Sequence, residues 1–145
     1  MNVMMTQPVY CPEDWEVSLH LQSDAHAPRL CRRTAVHAVR EYGLPYLADA
    51  AALLTSELAT NAVRHGKGPL AYRVAWYAGR GRLRLTVWDE GEGRAPVNPS
   101  PPPGLPECGR GLLIVAVIAE DWGQHSTPGG GKALWAELGV PQSPP

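Results

Sequence analysis

The stretch SELATNAVRHGKG, residues 56–68, ends an apolar, alanine-rich run with a carboxylate, a carboxamide, an arginine and a histidine before two glycines close it. On a helix each residue advances about 100°, so Glu57 stands about 60° from Leu54 and Asn61 about 60° from Leu58, both beside the apolar stripe. Their i, i+4 spacing stacks them about 6 Å apart along the axis, near enough to address one small ligand together. The polar rim of an ordinary amphipathic helix has the same pattern. A second group lies in RLRLTVWDEGEG, residues 82–93. Strand alternation gives Asp89 the parity of Leu83, Leu85 and Val87, so its carboxylate closes an apolar row on the core side. A carboxylate there needs donors, since an unpaired buried charge is costly, and the exocyclic amine of a base is one such donor. Gly91 and Gly93 permit positive φ and close approach of another molecule to the backbone. A glycine turn carrying a surface aspartate is the plainer alternative. A third group is CGRGLLIVAVIAEDW, where Gly109 and Gly111 precede an apolar helix. Bare N–H groups and the helix dipole suit phosphate there, and a simple glycine cap fits as well. Arg110 either adds charge to such a phosphate or faces water.

These residues need elements to carry them. WEVSLHL, residues 15–21, alternates as a half-buried strand does. Ser23 and Asp24 offer N-cap oxygens to a helix over 25–42, which Gly43 can end. Its Arg29, Arg33 and Arg40 fall roughly on one face, either a solvated surface or a docking surface for an acidic partner. Pro45 suits the first turn of a second helix running to His65, with Leu47, Ala51, Leu54, Leu58 and Ala62 as its core stripe. Strands over 70–78 and 82–89 form a hairpin across Gly79, Arg80 and Gly81. The prolines of residues 94–108 deny that segment ladder or helix, so it is a loop. A third helix over 110–121 and strands near 122–126 and 132–138, joined by PGGG, complete the order. The expected fold is α+β: a two-layer sandwich, its mixed, mostly antiparallel sheet covered on one face by about three helices. One domain over 15–139 lies between an N-terminal tail, 1–14, and a C-terminal tail, 140–145.

With 145 residues, 44% hydrophobic and 19% charged, the chain suits one globular domain. A net charge of -1 gives no global reason to expect nucleic acid as a partner. Residues 1–14 lack the apolar core of a signal peptide, and no stretch has the eighteen or so apolar residues of a membrane span, so a cytoplasmic protein is expected. Cys11, Cys31 and Cys108 lack CxxC spacing and read as free thiols. The five histidines form no i, i+4 metal pair.

ExxxN, then DxGxG, then GxG at a helix start, in that order, resembles the nucleotide-binding boxes of the Bergerat ATPase superfamily. SELATNAVRHG, LTVWDEGEG, GRGLLIVAVIAEDWG and GKALWAEL are most similar to stretches of bacterial anti-sigma factor serine kinases and small actinobacterial ATP-binding regulators. The resemblance covers roughly residues 15–138. It implies ATP and Mg²⁺ as cofactors, with Asn61 holding the metal through its side-chain oxygen and Glu57 acting as general base. Asp89 would accept from the adenine N6 amine, and Gly91 and Gly93 would floor the pocket. Gly109, Arg110 and Gly111 would form the phosphate-facing hinge of a lid near 94–108.

The implied function is that of an anti-sigma factor with serine/threonine protein kinase activity towards an antagonist protein. Its partners would be a sigma factor and that antagonist, with a homodimer as the assembly. The alternative is a nucleotide-dependent binding module without turnover. A fold retained for protein contacts alone would bind no ATP. One departure stands out: these families carry a small hydroxyl residue in the last strand, where Ala133 follows Lys132. Its loss is expected to weaken adenine anchoring by about 0.5–1.5 kcal/mol.

Overall fold

The computed structural model describes residues 12–91 and 114–140. Strand β1 (Trp15–Leu21) and helix α1 (Ala27–Glu41) precede a 3-10 turn (Pro45–Leu47) and helix α2 (Ala48–His65). Strands β2 (Leu70–Tyr77), β3 (Arg82–Asp89), β4 (Asp121–Ser126) and β5 (Lys132–Gly139) follow, with a further helical segment at 114–118. The strands form one sheet in the order β1-β2-β3-β5-β4. Each neighbouring pair is antiparallel, so nothing in this sheet is mixed. Hairpins account for the β2–β3 and β4–β5 pairs, and the long connection after β3 sets β5, rather than β4, beside it.

Helix α1 buries Ala27, Cys31, Ala35, Ala38 and Val39, a stripe at helical spacing. It begins two residues later than the cap signal suggests. The N-cap is His26, which makes no side-chain cap bond, while the Asp24 carboxylate accepts from the His26 N–H at 2.8 Å. Gly43, at φ 78°, ends it in the left-handed region, and the Leu44 N–H returns to the Val39 carbonyl at 2.7 Å. Pro45 opens a 3-10 turn rather than α-helix, after which α2 buries Ala48, Ala51, Leu54, Leu58, Ala59 and Ala62. The small residues of both stripes let the two helices lie close against each other and the sheet.

On β3, Leu83, Leu85, Val87 and Asp89 are all buried on the helix side. Strand β5 matches them with Lys132, Leu134, Ala136 and Leu138, and the register pairs Val87 with Leu134 and Asp89 with Lys132. The other parity forms the second face of the sheet. There Arg73 lies over the Trp88 ring at 5.1 Å and Arg84 over Trp135 at 4.0 Å. The Glu137 carboxylate, 1% exposed as a residue, is held 3.0 Å from Arg80 and 3.1 Å from Arg84.

Candidate functional site

Helix α2 carries Glu57 and Asn61 on successive turns of its C-terminal half. Asn61 is buried, yet its Oδ1 has no hydrogen-bond partner among the described residues. Such an orphan costs about 1–3 kcal/mol and marks a place where an outside group completes the structure. A neutral amide oxygen is a hard donor that suits Mg²⁺. No cluster of three or more His, Cys, Asp or Glu among the described residues could hold a metal ion. A cation at Asn61 would therefore take its remaining ligands from phosphate and water, which Mg²⁺ tolerates well. Glu57 is half-buried. Desolvation raises its carboxyl above the ordinary value, and the Arg64 charge offsets part of that rise. A raised carboxyl sits nearer the pH at which a general base works best.

Asp89 ends β3 against the C-terminal turn of α2. Its Oδ1 accepts from the Gly91 N–H at 2.6 Å and from the Lys67 N–H at 3.4 Å. Three glycines crowd it. A Cβ at Gly66 would lie 2.6 Å from the Asp89 Cγ, one at Gly91 2.8 Å from Oδ1, and one at Gly131 would collide with the Asp89 carbonyl oxygen. The backbone therefore closes on Asp89, with Gly66 and Gly91 against its carboxylate and Gly131 against its carbonyl, only because those side chains are absent. Gly91 does not use the positive φ open to it; close approach is what it supplies. Asp89 is also ion-paired. Lys132 Nζ stands 3.8 Å from Oδ2 and donates to the His65 carbonyl at 3.3 Å. An ammonium at that point answers both the carboxylate and the negative end of the α2 dipole.

The expected role of position 133 needs correction. Ala133 pairs with Trp88 and His125, on the sheet face away from Asp89, so a hydroxyl there could not anchor a base beside the carboxylate. The residue that does flank Asp89 is Lys132. Sequence reasoning passed over it, although the parity of β5 against Asp89 holds the signal. Gly93, Gly109, Arg110, Gly111 and the loop 94–108 lie outside the described residues. A hollow of about 500 Å³ also touches Asp89, lined by His20, Ala71, Trp88, Glu90 and Thr127 among others, and its lining includes neither Glu57 nor Asn61.

A family model of the histidine kinase-like ATPase domain matches residues 21–137. The chain belongs to this family. The match takes in α1, α2 and most of the sheet, so Glu57, Asn61, Asp89 and Lys132 all lie in its histidine kinase-like ATPase domain. Among solved structures, the RsbU and RsbW domains of Rv1364c from Mycobacterium tuberculosis are similar, with a TM-score of 0.65 and 18% identity. The alignment covers 86% of this chain and 32% of that one, so the chain spans about a third of that structure's length. At this identity the likeness is one of fold, and the fold is that of the Bergerat ATPases. No curated protein matches the chain. No helix among the described residues is long and apolar enough to cross a membrane.

Proposed function

We propose that this chain is an ATP-binding regulator of the anti-sigma type, with serine/threonine kinase activity towards an antagonist protein. One observation carries the reading: a buried, glycine-walled carboxylate, Asp89, abuts the same end of α2 that holds the orphaned oxygen of Asn61. The first suits the amine edge of adenine and the second the metal that accompanies a triphosphate.

In this reading Asp89 accepts from the N6 amine, and Gly91 keeps the backbone clear of the base. Mg²⁺, when bound, neutralises phosphate charge, and Asn61 Oδ1 supplies one of its ligands. Glu57 takes the proton of an attacking hydroxyl as that oxygen bonds to the γ-phosphorus; the bond to the bridging oxygen breaks and ADP leaves. Gly109, Arg110 and Gly111 contact the phosphates, as the family resemblance implies. The partners are a sigma factor and its antagonist, and the assembly is a homodimer.

Calorimetric titration with ATP, with and without Mg²⁺, tests the binding step on wild type and Asp89→Ala. Binding by wild type, weaker without metal and nearly lost in the variant, is expected. Wild type that binds no nucleotide would refute the reading. Labelled MgATP with candidate partners then tests turnover: transfer by wild type and none by Glu57→Ala supports the kinase. Partner capture with no transfer by either protein would mark a binding module instead.

A further inference from the structure

Lys132 is one of only two lysines in the chain, and it is buried, with its side chain 6% exposed. A buried ammonium carries three N–H donors that all need acceptors. The His65 carbonyl takes one, at 3.3 Å. Asp89 Oδ2, at 3.8 Å, lies within ion-pair reach but beyond a hydrogen bond. On Asp89, Oδ1 is engaged by the Gly91 and Lys67 N–H groups, while Oδ2 faces the Lys132 ammonium among the described residues. A donor and an acceptor therefore stand side by side at the end of β3 and the start of β5, fixed by the Asp89 to Lys132 register. At 3.8 Å apart the two groups are close enough to converge on adjacent positions of one base edge, an N–H and a lone pair that lie nearer each other than the groups do.

Accordingly, we propose that Lys132 is a second base-reading residue of the nucleotide site, donating from Nζ to the N1 lone pair of adenine while Asp89 accepts from the N6 amine. The inference rests on the function proposed above and adds a specificity determinant to it. Lys132 then contributes a charged donor beside the carboxylate. A charged donor strengthens the contact with N1 and ties affinity to that single ring atom. The helix end holds the ammonium in place whether or not nucleotide is bound, so the donor is set before the base arrives.

The test compares MgATP with its 1-deaza analogue, in which C–H stands where N1 accepts, by calorimetry on wild type and Lys132→Met. Wild type should bind the analogue about ten- to hundredfold more weakly than ATP. Lys132→Met should bind ATP weakly, by a similar factor, and should no longer distinguish the two nucleotides. Equal affinity of wild type for both nucleotides would overturn the proposal, as would ATP binding by Lys132→Met as tight as wild type or tighter. The tighter outcome would make Lys132 a competitor for Asp89 rather than a reader of the base. Removing the ammonium leaves a buried carboxylate unpaired, so circular dichroism and Tm of unliganded Lys132→Met accompany the titration. Should that variant fail to fold, the two-nucleotide comparison on wild type decides the matter alone. Wild type that binds neither nucleotide would instead refute the ATP-binding reading on which the inference stands.

Discussion

A carboxamide oxygen buried without a partner weakens the empty fold, by about 1–3 kcal/mol at a position such as Asn61. Stability and ligand binding should therefore diverge there. Asn61→Ala is expected to leave the unliganded Tm no lower than wild type, because the lost packing is offset by removal of the orphan. The same change should abolish the Mg²⁺-dependent part of ATP affinity. Differential scanning calorimetry and titration with and without metal check both halves, and a large fall in unliganded Tm would mean the oxygen is satisfied in solution. At Glu57 burial raises the carboxyl and the base form is the ionised one. Transfer should climb as pH rises through that elevated value and level off above it. Glu57→Gln should erase the climb and slow transfer by about 10²–10⁴-fold, with ATP affinity intact. Stability runs the other way. The contribution from Glu57 is fully present below the ordinary value of 4.5 and is lost as pH rises through the folded-state value. A transfer rate independent of pH across the acidic range would remove Glu57 from the proton-accepting role.

At the level of elements, the join between α2 and β2 depends on a buried hydroxyl pair, Thr55 to Tyr72 at 2.8 Å. Thr55→Val keeps the shape of the side chain and strands the Tyr72 hydroxyl, which should cost about 1–3 kcal/mol in urea unfolding. Adding Tyr72→Phe should recover most of that loss, since the pair is then replaced by apolar groups. Additive losses in the double variant would show that the two hydroxyls do not meet. The stripe of α2 and the parity that buries Asp89 were legible in the sequence because both are periodicities within one element. The cap of α1 was misplaced, since Asp24 satisfies a backbone N–H from outside the helix rather than at its N-cap. Parity could place Lys132 on the Asp89 face, but its position directly beside Asp89 depends on the register between β3 and β5, strands more than forty residues apart. Periodicity assigns a side chain to a face and leaves open which residue of another strand sits beside it. Ala133 was set beside Asp89 for that reason, although a shift of one residue along a strand moves the side chain to the opposite face. The crowding around Asp89 was hidden likewise: Gly66 and Gly131 come from distant segments, and only the folded chain brings them against it.

Across the whole molecule, the core is closed by two buried acids on different layers, the Cys31 thiol of α1 and the Tyr72 phenol of β2, each 0% exposed. Burial pushes Cys31 up to about 12 from 9.0. The Tyr72 phenol is likewise raised from 10.0, by burial above all, with the Cys31 thiol adding to the rise and the Thr55 hydrogen bond opposing it. Both stay protonated in the native state at pH values where the unfolded chain releases them. Their contribution is thus complete below the unfolded values and drains away as pH rises towards the folded ones. Each group should lower stability by about 1.4 kcal/mol per pH unit once its unfolded form ionises, Cys31 from near 9 and Tyr72 from near 10. Urea midpoints measured from pH 8 to 11 should therefore steepen in two stages. Tyr72→Phe should remove the second stage while leaving the first, even though it starts less stable for want of the Thr55 partner. The Cys31 thiol should react with an aromatic disulfide reagent only as fast as the protein unfolds, because both its burial and its neutral form block attack. If wild type and Tyr72→Phe instead lose stability in parallel throughout that range, solvent reaches the phenol in the native state. The helix layer would then not seal the sheet at β2, and the proposed nucleotide site on the same α2 would lack a dry wall behind it.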